Sequence, residues 1–265
     1  MVLSWYVIVH CIGQRVHKKD SVCIMYHMNL QGRVLSEPCS RCREPSVLFQ
    51  RYSGRHLCAT HLAADILIRA KRTIRIQGGL GKKPVLSIIW DGSARYLLLY
   101  ILGCIVGNRP NMEFVILHIN SGCNHQDSPS NQVSFPSGIT IREEYLQYEH
   151  ITEVVTSSGS DRIVQACTLE DEAEQVLSSL LSGDCCSLIC SDKTFPGLCL
   201  APLREIPYTE LMMVADYWGV PIQEKKGEES DIRKIVTDLT NNHPSLPFSL
   251  LNYRDRLCEL GKNQI

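Results

Sequence analysis

Lys83 to Leu102 reads KPVLSIIWDGSARYLLLYIL. Val85 to Trp90 is a short apolar run rich in branched residues, the pattern of a buried strand. Asp91-Gly92-Ser93 is a tight turn, and Ala94 to Ile105 reads as a helix. A strand, a glycine turn and a helix N-terminus together form an anion site, because backbone N–H groups and the helix dipole converge on the turn. The same junction occurs in many α/β proteins, so the rest of the chain must decide what it serves.

Downstream, strands and helices alternate. Glu113 to Asn120 reads as a second buried strand, and residues 121–140, rich in Ser, Asn, Gly and Pro, as a long loop. Arg162 to Ala166 reads as a strand. Leu169 to Leu181 reads as a helix whose first turn carries Glu170, Asp171 and Glu172, as the helix dipole favours. Pro207 and Thr209 open a helix over Glu210 to Trp218, and Gly219 closes it; Asp231 to Asn241 is a further helix. This alternation predicts a Rossmann-like parallel α/β sheet. No internal repeat is present.

Upstream lies Cys39-Ser-Arg-Cys42, then fifteen residues, then Cys58-Ala-Thr-His61. Two close pairs on two knuckles supply four ligands to a tetrahedral ion, and three thiolates with one imidazole suit Zn²⁺ better than magnesium or calcium. With all four positions filled, the role predicted for Cys39, Cys42, Cys58 and His61 is structural: zinc holds together a ribbon too small for its own core. His61 to Gln77 reads as a helix with Leu62, Ile66, Ala70 and Ile74 as its apolar stripe. Arg69, Lys71, Arg72 and Arg75 lie beside that stripe. Such a face is either solvated or a phosphate surface; with Arg41, Arg43, Arg51 and Arg55 nearby, phosphate contacts are the better reading. Gly78-Gly79-Leu80-Gly81 reads as a flexible break before the central strand.

The 265 residues carry a net charge of −1, which excludes a globally basic nucleic-acid protein. The charge is unevenly spread. Residues 33–83 hold eleven Arg and Lys against three acids, whereas residues 142–184 hold ten acids against Arg142 and Arg162. The first segment suits a polyanion. Thirteen cysteines, an odd count with an adjacent pair at Cys185-Cys186, predict reduced thiols and a cytoplasmic protein rather than a disulfide framework. No apolar run reaches the roughly 18 residues of a membrane span. Val2 to Ile12 is apolar but lacks a basic flank and a clear cleavage site. The expected organisation is a leader over residues 1–38, a zinc ribbon and basic helix over 39–77, an α/β domain over 83–251 and a tail over 252–265.

Four stretches carry a family likeness. They are Cys39-Ser-Arg-Cys-Arg-Glu-Pro-Ser-Val-Leu with Tyr52-Ser-Gly-Arg-His-Leu-Cys58; Leu169-Glu-Asp-Glu-Ala-Glu-Gln-Val-Leu with Leu181-Ser-Gly-Asp184; Pro202-Leu-Arg-Glu-Ile-Pro207; and His243-Pro-Ser-Leu-Pro-Phe-Ser-Leu-Leu251. In this order they resemble the TtuA-type tRNA 2-thiouridine synthetases, PP-loop ATP pyrophosphatases that include the cytosolic wobble-uridine thiolases. The resemblance implies the PP-loop fold, with a zinc finger ahead of it. It also implies a chemistry in which ATP–Mg²⁺ adenylates a uridine carbonyl whose oxygen is then replaced by sulfur.

The family's S-G-G-K-D-S loop corresponds to Asp91, Gly92, Ser93, Ala94, Arg95 and Tyr96 here. Asp91 places a negative charge where a phosphate should approach. Ala94 removes the lysine charge and Arg95 reverses the acidic position, though Arg95 could still grip a phosphate. Asp171 retains one of the family's two acids. The family's Cys-x-x-Cys-Gly and its later third cluster cysteine have no counterparts among residues 121–160 and 220–257. No iron–sulfur cluster is therefore expected. ATP–Mg²⁺ turnover is not expected either, and the degenerate nucleotide loop is assigned to Asp91, Gly92, Ser93, Arg95 and Asp171. RNA contacts are assigned to Arg41, Arg43, Arg69, Lys71, Arg72 and Arg75. The functional expectation is a non-catalytic relative of the thiolases that binds tRNA, an active thiolase subunit or a like chain. The alternatives are an active tRNA uridine 2-sulfurtransferase with an altered loop, and a protein–protein adaptor without an RNA role.

Overall fold

A computed structural model describes residues 37–107, 109, 111–119, 139–184, 188, 198–223 and 230–262. The leader up to residue 36, most of the loop read over 121–140, and Cys185, Cys186 and Cys190 lie outside the described residues.

The chain enters through a bridge between Pro38 and Pro45, followed by the antiparallel hairpin β1 (Leu48–Gln50) and β2 (Arg55–Leu57). Helix α1 (Ala59–Ile76) starts directly after Cys58, and Leu62, Ile66, Ala70 and Ile74 are buried on one face, as the four-residue spacing requires. The central sheet follows: β3 (Val85–Ile89), β4 (Met112–Ile119), β5 (Ile139–Leu146), β6 (Ile163–Val164) and β7 (Cys199–Leu200). Its order is β5-β4-β3-β6-β7, and every pairing is parallel. The expected α/β architecture behind a small Cys/His ribbon is therefore the observed one.

Helix α2 (Arg95–Val106) is apolar on nearly every side. Leu97, Leu98, Leu99, Ile101 and Leu102 have no solvent exposure, because the sheet, α1 and the aromatic pair Tyr100–Trp218 enclose the helix. Truncating Leu98 to Ala would cost about 2–5 kcal/mol. On the opposite face of the sheet, α3 (Ile151–Ser157) sets Ile151 and Val155 against Val115, Leu117 and Ile163. Helix α4 (Leu169–Ser182) begins with a reciprocal capping box between Thr168 and Asp171 and ends at Gly183 in the left-handed region. Helices α5 (Tyr208–Trp218), α6 (Asp231–Asn242) and α7 (Leu246–Lys262) complete the described chain.

Three readings need correction. Residues 252–262 are not a tail: they continue α7, where Arg254 is buried and ion-paired to Glu172 of α4. Residues 139–146 form an eight-residue edge strand, which overlaps the end of the predicted loop. The glycine break is latched rather than free. Arg162 donates from Nε to the Gly79 carbonyl at 3.0 Å, and the Lys82 N–H donates to Asp161 at 3.2 Å. A Cβ on Gly81, whose φ is +84°, would collide with the Asp161 carboxylate.

Beyond β3 the chain turns one way to β4 and β5, then returns on the other side of β3 to form β6. In parallel sheets such a reversal opens a crevice at the carboxyl ends of the two adjoining strands. Here those ends are Trp90-Asp91 and Gln165-Ala166.

Candidate functional site

The four ribbon ligands meet. One ligand atom from each of Cys39, Cys42, Cys58 and His61 lies within 4.8 Å of the others. The Cys42 and Cys58 sulfurs are 3.6 Å apart, and His61 Nδ1 is 3.6 Å from the Cys39 sulfur and 3.2 Å from that of Cys58. Tetrahedral Zn–S bonds of about 2.3 Å put sulfurs about 3.8 Å apart, so the donor set fits one such ion. Local backbone builds it: Cys58 caps α1 and His61 sits in its first turn, while Arg43 at φ 64° turns the knuckle after Cys42. Burial alone would push the Cys39 thiol up, but the N–H groups of Arg41, Cys58 and Cys42 turned on the sulfur bring it down to about 6. A thiolate there is ready for a cation.

The second site is a cleft of about 1730 Å³ at the sheet's crevice. It is lined by Asp91, Gly92, Ser93 and Arg95 of the loop, by Asp171 of α4, and by Leu48 to Tyr52 of the hairpin. Gly92 is at φ +84°, and a Cβ would come 3.1 Å from the Ala166 carbonyl oxygen, so this tight turn against β6 needs glycine.

The loop satisfies itself. The Gly92 N–H donates to Asp91 Oδ1 at 2.6 Å. Arg95 folds back over the Trp90 and Tyr96 rings, its guanidinium carbon 5.5 and 5.3 Å from their centroids. It donates to the Gly92 carbonyl at 3.3 Å and to Gln223 Oε1. A backbone donor that could meet a phosphate thus holds a side-chain carboxylate, and the nearest cation is hydrogen-bonded to the protein.

Across the cleft, Asp171 is occupied twice: it closes the capping box with Thr168 and pairs with Arg233 Nη1 at 3.0 Å. Arg233 also reaches Glu174 at 3.1 Å. Burial raises the Glu170 carboxyl above the usual carboxylate range, against the pull of the Tyr208 N–H, which donates to it at 2.8 Å. The Cys167 thiol is pushed well up by burial, then by the charges of Glu172 and Asp171, so it is not a ready nucleophile. The charged side chains lining the cleft are Arg51, Arg95, Arg233 and Arg254 against Asp91, Glu170, Asp171, Glu174 and Glu210. That balance does not favour a triphosphate. Arg233, Arg254, Gln223 and Glu210 escaped sequence reasoning, because nothing local marks a partner 62 residues away, as for Arg233 and Asp171.

The residues assigned to RNA separate into two groups. Lys71, Arg72 and Arg75 are exposed on α1, and Arg41 and Arg43 are exposed on the ribbon. Arg69 is not available. Its side chain is 14 % exposed and pairs with Asp65 at 3.0 Å and with buried Glu210, so the structure uses it as an internal clamp. Among the described residues no helix is long and apolar enough to cross a membrane.

Fold and site together define a parallel α/β protein joined to a Cys₃His ribbon. Residues 39–63 match the family described as 2-thiouridine synthetase TtuA, N-terminal LIM domain. Over 282 residues the chain is 23% identical to the tRNA 2-thiolation protein NcsA of Haloferax volcanii, spanning 84% of this chain and 87% of that one. It superposes on the U34-tRNA thiolase NcsA from Methanococcus maripaludis, solved with its [4Fe-4S] cluster. The TM-score is 0.67 at 18% identity, covering 85% of this chain and 88% of the other. Over most of its length the chain is similar to TtuA/NcsA-type tRNA 2-thiolation proteins.

This likeness corrects one expectation. The exclusion of an iron–sulfur cluster rested on the family's cysteine positions in the α/β domain, yet a protein of the same fold carries a [4Fe-4S] cluster. Thiolates accept iron–sulfur as well as zinc. The Cys39, Cys42, Cys58 and His61 set has the ligand types for either, with the spacing of a single ion, and iron has to be measured beside zinc.

Proposed function

We propose that this chain takes part in tRNA 2-thiolation as a tRNA-binding protein that does not itself turn over ATP. The likeness to NcsA supports the pathway. The single observation behind the second half is the Asp91 carboxylate held by the Gly92 N–H, where a working loop would hold phosphate. In this reading Cys39, Cys42, Cys58 and His61 bind a metal, and Arg41, Arg43, Lys71, Arg72 and Arg75 contact tRNA phosphates. An active thiolase subunit supplies the chemistry. The protein works in the cytoplasm, in keeping with cysteines that form no disulfide among the described residues.

The deciding experiment is pyrophosphate release from ATP–Mg²⁺, with and without bulk tRNA, on protein loaded anaerobically with zinc or with iron and sulfide. Release at the enzyme-free rate is expected. Faster release would establish the second reading, an ATP-dependent tRNA uridine sulfurtransferase with an altered loop, for which the retained Gly92 turn at the head of α2 speaks. Failure to bind tRNA at low salt would favour an adaptor without an RNA role.

A further inference from the structure

The metal ribbon is wired into the cleft. Asp65 lies one turn beyond His61 on α1 and is 7 % exposed. Arg41 of the knuckle and Arg55 of β2 approach it at 3.6 and 3.8 Å, and Arg69 Nε at 3.0 Å. Arg69 in turn pairs with Glu210 at the start of α5, which is 1 % exposed. The other Glu210 oxygen, Oε1, accepts from the Tyr52 hydroxyl at 2.6 Å and from Gln50 Nε2 at 3.1 Å. Tyr52 also packs on Phe248 of α7, with ring centroids 4.6 Å apart, and Arg51 donates to the Asn241 carbonyl at 2.9 Å. Gln50, Tyr52, Glu210 and Phe248 all line the cleft.

The hairpin that makes this wall consists of two three-residue strands. An isolated hairpin of that size does not hold in water, and small Cys/His modules fold only with their metal. We propose that Glu210 couples the Cys₃His metal centre to the cleft, so that metal occupancy decides whether the β1–β2 hairpin closes one wall. Without metal, Tyr52 and Gln50 leave Glu210, Phe248 is uncovered, and the cleft opens on that side while the sheet stays folded. Glu210 is a positioning residue in this scheme. The proposal rests on metal occupancy of the ribbon and is independent of whether the cleft turns over ATP.

The test is hydrogen-exchange mass spectrometry on the full chain, loaded with zinc and then stripped with a chelator, with metal content measured at each stage. Stripping is expected to speed exchange about tenfold or more in residues 48–57, 208–214 and 244–251, leaving β3 and β4 unchanged, and returning zinc is expected to restore protection. Tyr52→Phe, which leaves all four ligands in place, is expected to keep the same zinc content and to speed exchange at 208–214 about fivefold, the worth of one hydrogen bond. Unchanged exchange at 208–214 on stripping would overturn the proposal. So would an equal rise in β3 and β4, no zinc uptake by the intact chain, or Tyr52→Phe behaving as the parent.

Discussion

The backbone N–H of Gly92 donates to the carboxylate of Asp91 at 2.6 Å, so the turn that heads α2 carries its own anion. A nucleotide phosphate would have to displace a covalently tethered competitor and then tolerate its charge nearby. Asp91→Ser removes the charge while leaving a short polar side chain. Isothermal titration with ATP–Mg²⁺ is expected to show tighter binding for Asp91→Ser than for the parent, by about tenfold, with no pyrophosphate release from either. Equal affinities would show that Asp91 does not guard the loop.

Metal content is the second prediction. One ion per chain is expected, and Cys42→Ser is expected to lose it. Circular dichroism should retain the α/β signal in that variant, because most of the apolar core comes from the sheet, α1, α2 and α5, and the ribbon adds little beyond Leu57. Elemental analysis for zinc and iron together checks both the stoichiometry and the identity of the ion.

For tRNA, Lys71, Arg72 and Arg75 replaced together by Ala should flatten the salt dependence of binding by about two to three log–log units, roughly 0.9 per phosphate for a duplex. Arg69 belongs in a separate experiment. Arg69→Ala strips buried Glu210 of its counter-charge, which should cost about 3–5 kcal/mol of stability with no defined change in salt slope. Filter binding across a salt series separates the two effects.

The cost of Glu170 depends on pH. Burial raises its folded-state pKa above the usual carboxylate value. Its stabilising share is therefore full below the unfolded pKa and is lost as pH rises through the raised folded pKa. Glu170→Gln keeps an oxygen for the Tyr208 N–H without ever ionising. Denaturant midpoints should match the parent at low pH and exceed it at neutral pH; a variant weaker than the parent at neutral pH would contradict this.

What the sequence revealed and what it hid divide along a physical line. The Cys39, Cys42, Cys58 and His61 quartet was legible because its spacing is local and its chemistry restrictive. The β3–Gly92–α2 unit was legible because eleven of its apolar residues form three runs, Val85-Leu86, Ile88 to Trp90 and Tyr96 to Ile101, broken only by Ser87 and residues 91–95. Strand β5 was not, because Arg142, Glu143 and Glu144 interrupt its apolar pattern; at the sheet edge Arg142 pairs across to Glu113 at 2.9 Å and Glu143 reaches His118 at 3.1 Å. Helix α7 looked like a tail because Arg254 and Asp255 read as surface charge, whereas Glu172 and Arg204 receive them. Arg69 was misassigned for the same reason: on the helix it resembles Arg72 and Arg75, and what distinguishes it is its burial between Asp65 and Glu210, the latter 141 residues away.

The Tyr52–Glu210 contact also orders events in time. Its two halves are 158 residues apart in the chain. At a synthesis rate of about 5–20 residues per second, the ribbon is synthesised roughly 8–30 s before the residue that anchors it. Through that interval the nascent hairpin can gather its metal but has nothing to dock on, and Arg69 waits in water without its principal counter-charge. Closure of the cleft is therefore among the last steps of biogenesis, and a chain truncated before α5 would carry a ribbon but no finished cleft wall.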